Sequence, residues 1–305
     1  MRTLYVNPLV YGENIGIDAI AQGLRHRLNE NGIEMRVLYA DFREPDCDEQ
    51  TAAAIRAGVE AGVDAVIIYA LTPKRATAAM TQAYEGGMPT FSFTRPHYRV
   101  NGSVIYPNFN HGVLMAEHMA TLVPPGSDVA VIGGPDTVDD IEECLGIAHS
   151  AKLVGLNIVN DPYDPRYDNV SDVSEMGKEV TFNVLDDFPQ IAGLMPYNDE
   201  TAHGSIEALR ERGLLGKIKL VSRNGTPKAV DAVKQGWSHG THDIDCPGIG
   251  TALGDLVVRQ LAHGERLEDE IAVSPVGRMI GPEQASSWVP LDERIPFEPL
   301  AEGLD

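Results

Sequence analysis

The chain has 305 residues, 43% of them hydrophobic, which is long enough for two α/β lobes with separate cores at the usual roughly 100–200 residues per domain. A formal net charge of −21 argues against a nucleic-acid partner, because phosphate neutralisation needs clustered Lys and Arg, and no apolar run approaches the roughly 18 residues of a membrane span. Cys47, Cys144 and Cys246 are odd in number and far apart, so they give no disulfide framework and no zinc spacing and read as free thiols.

Met1–Val6 runs straight into a strand without the basic, apolar and small-residue segments of a signal peptide. That leaves open both a cytoplasmic chain and a mature region whose signal has been removed. Leu4–Val10 reads as the first strand, followed by an amphipathic helix over Ile15–Asn31 that ends at Gly32. Glu34–Tyr39 is a second strand and the Ala-rich Glu49–Ala61 a second helix. Ala65–Leu71 has the continuous apolar character of a parallel strand buried on both faces. A helix over Pro73–Glu85 carries Pro near its start, where a missing N–H costs nothing, and Thr90–Phe93 is a fourth strand.

The pattern restarts after an interruption at Tyr106–Phe109, with helix His111–Leu122 and strand Asp128–Gly133. Helix 138–154, strand Leu156–Asn160, helix 173–187, strand Gly193–Tyr197, helix 200–212 and strand Ile218–Ser222 follow. A short helix at Pro227–Gln235, a strand around Gly240–Ile244 and a helix over Pro247–His263 come next, and the Pro-rich tail from Pro282 reads as irregular. Strand–helix alternation is the mark of βαβ units and parallel sheets. Two successive runs of such units predict two similar doubly wound α/β lobes; one large single-sheet enzyme is the alternative.

Ligands of open parallel sheets gather at the carboxyl ends of the strands. Those positions here hold Asn7, Tyr11, Glu13 and Asn14; Thr94, Arg95 and His97; Asp161–Tyr167; Asn198 and Asp199; Arg223 and Asn224; and Asp243 and Asp245. Amides, carboxylates and a guanidinium suit hydroxyl groups, and aromatic faces pack on the C–H faces of a sugar ring. There is no G-x-S-x-G elbow, no P-loop and no G-x-G-x-x-G after Gly133-Gly134, so no catalytic residue and no cofactor is assigned. His239, His242, Asp243, Asp245 and Cys246 invite a metal reading, but strand alternation turns Asp243 and Asp245 away from His242, and no metal is assigned. Asp139, Asp140, Glu142 and Glu143 lie at a helix start, where acids offset the positive end of the dipole; Glu143, one turn in, is also a candidate for the site.

Three stretches carry a resemblance: Met88-Pro89-Thr90-Phe91-Ser92-Phe93-Thr94-Arg95, Pro196-Tyr197-Asn198-Asp199-Glu200-Thr201-Ala202-His203-Gly204, and Val221-Ser222-Arg223-Asn224-Gly225-Thr226-Pro227. Together, and in this order, they resemble the ribose-type periplasmic binding proteins, which share their two-lobed core with LacI-type regulators. The likeness runs from about Leu4 to Ile280. It implies that Arg95 and Asn198 are ligand-binding, with Asn224 and Thr94 standing where the family has Asp, and Glu143 where many members carry Arg. Asp243 or Asp245 falls near the last pocket residue, Tyr11 and Asn14 stand for the aromatic and the Asn of the first loop, and Tyr167 is a loop aromatic. Glu143 in place of Arg disfavours an anionic ligand, since an unpaired buried carboxylate is costly.

The expectation is therefore a solute-binding protein of an ABC importer, joined by a three-segment hinge near Tyr106–Phe109, Asp243–Pro247 and Ser274–Gly277. Residues 1–107 with 246–275 would form one lobe and 108–245 with 276–305 the other. A small neutral sugar or polyol is bound between the lobes by hinge closure and delivered to membrane permease subunits. The resemblance implies a monomer and a periplasmic or other extracytoplasmic place, reached after removal of a signal. The regulator branch carries a DNA-reading module of roughly 60 residues before its first core strand, whereas strand one here begins at Leu4. A cytoplasmic sugar-sensing core and a sugar-processing enzyme are the remaining alternatives.

Overall fold

The structure, a computed structural model, describes residues 1–304. The chain forms two compact units, one of Met1–Tyr106, Cys246–Pro275 and Leu291–Asp305, the other of Pro107–Asp245 and Val276–Pro290.

In the first unit the apolar runs become β1 (Arg2–Asn7), β2 (Glu34–Tyr39), β3 (Ala65–Tyr69), β4 (Thr90–Phe93) and β5 (Gly102–Ile105), with α1 (Ile15–Asn29), α2 (Cys47–Glu60) and α3 (Thr77–Glu85) between the first four strands. All five residues of β3 are buried, as a central parallel strand covered on both faces requires. α3 starts four residues later than the sequence predicts, because Ala76 takes a left-handed conformation with φ 50° and breaks the helix. β5 is a strand that the sequence pattern does not predict; Gly102 and Ser103 carry no apolar signal, and Gly102 is seated against the Phe91 ring and Leu256.

The second unit holds α4 (Asn108–Leu122), β6 (Asp128–Ile132), α5 (Val138–Val154), β7 (Asn157–Ile158), α6 (Ser174–Asp187), β8 (Gly193–Pro196), α7 (Asp199–Glu211), β9 (Lys219–Arg223), α8 (Pro227–Lys234) and β10 (Gly240–Asp243). The chain then returns to the first unit for α9 (Cys246–Leu261) and β11 (Glu270–Val273), crosses back for β12 (Arg278–Ile280) and α10 (Pro282–Ala285), and ends in the first unit with α11 (Leu291–Arg294) and β13 (Ala301–Glu302). β11 to β13 are short edge strands with few buried apolar residues, which is why the sequence pattern does not show them.

Residues 291–305 were expected with the second lobe; the structure assigns them to the first unit, a fourth passage of the chain between units. Arginines hold this tail. Arg25 pairs with Glu298 at 2.6 Å and donates to the Pro296 carbonyl, Arg36 donates to the Gly303 carbonyl and Arg2 to that of Leu304, while β13 pairs with β2. Such side-chain to backbone bonds leave no periodic trace in the sequence.

Both sheets have the same winding. The first runs β11-β5-β4-β3-β1-β2-β13 with every pair parallel, the second β12-β10-β9-β8-β6-β7 with only β12 antiparallel. The strand order reverses between β1 and β3 in one unit and between β6 and β8 in the other. These are the two switch points at which doubly wound sheets open a crevice at their carboxyl edge.

Glycines set the closest helix approaches. A Cβ on Gly250 of α9 would lie 1.9 Å from the Ile20 carbonyl oxygen of α1, and one on Gly23 of α1 would lie 2.0 Å from that of Pro247. In the second unit, Gly112 of α4 and Gly146 of α5 meet the Glu143 and Phe109 carbonyl oxygens at 2.1 and 2.0 Å in the same sense. Gly250→Ala is expected to destabilise the first unit by about 1–3 kcal/mol through overpacking against backbone, read as a lower urea midpoint at an unchanged m value. A midpoint equal to that of the wild type would show that the α1–α9 seam relaxes freely.

Candidate functional site

In the first unit, α1 begins at Asn14 because its side-chain oxygen accepts from the Gly16 and Ile17 amides at 3.0 and 3.1 Å, an N-cap bond. The hydroxyl of Tyr11 accepts from Nε2 of the buried Gln22 at 3.0 Å. Thr94, at the end of β4, is buried with φ 61°, and its hydroxyl donates to the Ala70 carbonyl at the end of β3. All three expected residues therefore stand at the carboxyl edge, each tied into the fold by its own side chain. Arg95 does not join them. Its exposed guanidinium lies 3.3 Å from Asp269, which precedes β11 and so belongs to the amino-terminal end of the parallel sheet. Position after a strand placed the backbone correctly; the side chain follows a carboxylate instead.

The second unit gathers more at its edge. Asn198 caps α7 by accepting from the Thr201 amide at 2.9 Å, and its Nδ2 donates to Asp172 at 2.5 Å. Asp172 also accepts from the Tyr197 hydroxyl. Asp243 accepts from the Asp245 amide at 3.0 Å and from the indole N–H of Trp288 at 2.9 Å. The Asn224 amide donates to the His242 carbonyl at 2.9 Å. Asn224, Asp245 and Asp172 have φ of 120°, 55° and 54°, and Thr94 of the first unit shares the trait. Backbone strain of this kind persists only where the surroundings enforce it, and it concentrates at binding and catalytic sites.

Asp172 and Trp288 are additions that the strand-end rule missed. Asp172 closes the long loop whose tyrosines drew attention instead. Trp288 is one of two tryptophans in the whole chain, and a large aromatic residue in a polar tail was the available signal; the structure buries it. Tyr167 is placed elsewhere: it packs in the core with Val180, Val184 and Phe188, and its hydroxyl donates to Asp187 at the end of α6. Asp199, beside Asn198, is structural. Its fully buried carboxylate accepts from Ser222, Thr241 and the Thr226 amide, clamping β9, β10 and α8 to the start of α7.

Glu143 is fully buried on α5, and its Oε2 lies 2.6 Å from Nε of Arg223, the last residue of β9. The Arg223 Nη1 donates to Oδ1 of Asn108, the first residue of α4, at 3.1 Å, and Asn108 in turn donates to Asp139 and Glu142. The glycine contacts of α4 with α5 bring these elements together, since the Glu143 carbonyl is itself the atom that Gly112 approaches. Burial raises the Glu143 carboxyl well above its usual range, and the Arg223 guanidinium 2.6 Å away opposes that rise and favours the carboxylate. Next to the pair, the rings of His111 and His242 lie 4.9 Å apart. Burial, then the Arg223 charge, lowers their pKa values to about 2 and about 4, so both imidazoles are neutral at pH 7. Opening the pair by deleting one partner would strand a buried charge, at a cost of about 3–5 kcal/mol.

The periplasmic binding protein domain matches residues 5–266, and the chain belongs to that family, its two parallel-dominated α/β sheets matching the type I fold. The D-ribose/D-allose-binding protein of Pseudomonas aeruginosa is 23% identical over 238 residues, 73% of this chain and 72% of its own. The ribose import binding protein of Bacillus subtilis is 23% identical over 256 residues, 83% and 80% of the two chains. A periplasmic solute-binding protein of an ABC transporter from Actinobacillus succinogenes, solved with bound D-allose, matches with a TM-score of 0.78 at 23% identity, covering 94% of this chain and 99% of its own. A galactofuranose-binding protein matches at 0.82 and 18% identity, covering 94% and 96%. These solved structures are like this chain in fold.

Asp140, buried one turn before Glu143, accepts from the Gly134 amide at 3.0 Å, and burial raises its pKa from 3.8 to about 7. A native pKa above the unfolded value means that the folded chain binds more protons. The stabilising contribution is then complete below about pH 4 and is lost as pH rises through about 7. Asp168 and Asp172, raised to about 6 by burial, act in the same direction. The melting temperature is expected to fall between about pH 4 and pH 7, and Asp140→Asn, which keeps an acceptor for Gly134, to flatten the upper part of that fall. Calorimetric melts across this range decide it; equal slopes for the two proteins would contradict the assignment.

Proposed function

We propose that this chain is the solute-binding component of a sugar ABC importer, capturing a small neutral sugar or polyol outside the cytoplasmic membrane and handing it to permease subunits without breaking a bond. The observation that carries the reading is the group of hydrogen-bonding side chains at the second unit's carboxyl edge, Asp172, Asn198, Asn224 and Asp243, two of them, Asp172 and Asn224, on left-handed backbone, in a chain of the periplasmic binding protein family. Planar amides and carboxylates in fixed orientations suit vicinal hydroxyls, which both donate and accept. The relatives named above are ribose and allose binders, which supports the sugar class. In the first unit, Tyr11, Asn14 and Thr94 are the proposed contributors. Capture by hinge bending, in which ligand favours the form that holds it best, belongs to the same proposal, as does a monomeric state.

A thermal-shift screen of pentoses, hexoses and inositols tests the reading. A hundredfold excess over Kd is expected to raise the melting temperature by about 5–10 °C through mass action. Alanine at Asn198 or Asn224 removes the shift while far-ultraviolet dichroism is retained. No shift with any neutral polyol, or turnover of a bound one by pure protein, would refute it.

A further inference from the structure

The charge at the second unit's edge is distributed in a way that points to one residue. Asp140, Glu143, Asp168, Asp172, Asp243 and Asp245 surround the ends of β6, β8, β9 and β10, and Arg223 is the cation at the end of β9. Its side chain is 6% exposed, so its charge has left water, and two elements hold it: α5 through the Glu143 ion pair at Nε and α4 through the Asn108 hydrogen bond at Nη1. A planar guanidinium held by an ion pair to one helix and by a hydrogen bond to another is restricted in plane and direction. The residue that follows it, Asn224, has φ 120°, so the chain turns sharply as it leaves the strand. Arg223 is also close enough to bias the protonation of Asp140, Asp172 and Tyr197, which come from three other parts of the edge.

We infer that Arg223, rather than Arg95, is the ligand-gripping arginine of this chain, and that Glu143 positions it and cancels its charge, so that the site selects uncharged over anionic polyols. This rests on the functional reading above. A guanidinium donates in a fixed fork to ring or exocyclic hydroxyls. Left uncompensated, it would favour a sugar acid; with Glu143 beside it and carboxylates around it, a carboxylate ligand meets repulsion, while a hydroxylated neutral ring still meets the donors. Glu143 is thus a positioning residue that acts on the ligand through Arg223, with the ligand contact made by the guanidinium.

The test is isothermal titration calorimetry of the full chain with D-ribose, D-allose, L-arabinose, D-galactose and myo-inositol as neutral probes, and D-ribonate and D-galacturonate as acids. The wild type is expected to prefer its best neutral probe to either acid by at least a hundredfold. Arg223→Lys weakens the neutral probe tenfold or more. Glu143→Gln, which leaves the guanidinium uncompensated, narrows the preference over the acids at least tenfold, a change that loss of packing alone would not produce. Should Glu143→Gln fail to fold, the double variant Glu143→Gln/Arg223→Gln keeps the pair neutral; it is expected to lose the neutral probe by a hundredfold and gain nothing for the acids. Affinity within twofold of wild type in Arg223→Lys or in the double variant, or equal weakening of acid and neutral probes in Glu143→Gln, would overturn the inference while leaving a sugar-binding function intact. A wild type that binds none of the neutral probes would overturn the functional reading and this inference with it.

Discussion

A charge removed from water has to find an opposite charge and enough hydrogen bonds, and the second unit is organised around one such requirement, the Glu143–Arg223 pair. Satisfying it needs three elements at once. β9 must deliver Arg223 to the sheet edge, α5 must carry Glu143 inward, and α4 must begin at Asn108 with its amide turned to the guanidinium. The glycine contacts between α4 and α5 make this possible by letting the two helices approach backbone to backbone. Burial, helped by the Arg223 charge, keeps His111 and His242 neutral, so the space beside the pair carries polarity without added charge.

The carboxylates at this edge divide by what they touch. Asp199 accepts three hydrogen bonds and locks the ends of three elements, so its charge is spent on the fold. Asp172 and Asp243 accept from side chains that themselves stand at the edge, Tyr197, Asn198 and Trp288. Groups of the second kind are already oriented by their neighbours, and orientation in advance of binding lowers the entropy that a ligand must overcome.

The two units repeat one winding, yet their edges differ in chemistry. Around β1 and β3 the expected binding groups are held by the fold itself, Asn14 as a helix cap, Thr94 on the Ala70 carbonyl and Tyr11 on Gln22. At the ends of β6 to β10 acids, amides and a guanidinium stand in three groups, one around Arg223 and Glu143, one around Asp172 and Asn198, and one around Asp243 and Trp288. A shared architecture therefore leaves specificity to side chains at the strand ends, as is general for doubly wound folds.

Alternation of apolar runs with helical stretches determined the α/β class and the two-unit organisation, because burial between helices forces parallel strands to be apolar throughout. The order of the Thr94-Arg95, Asn198-Asp199 and Asn224-Gly225 segments determined the family. Edge strands such as β11 and β12 escaped because half-exposed residues carry little hydrophobic signal. The tail's return to the first unit escaped because arginine contacts to carbonyl groups have no period. Only the tertiary structure decided where the strand-end side chains point. Arg95 turned to Asp269, Tyr167 sank into the core with Phe188, and Arg223 found Glu143 across 80 residues of chain. Sequence position fixes which residue stands at a strand end, but the direction of a charged or aromatic side chain is set by the nearest group that lowers its free energy, and that group is brought there by packing between elements far apart in the chain.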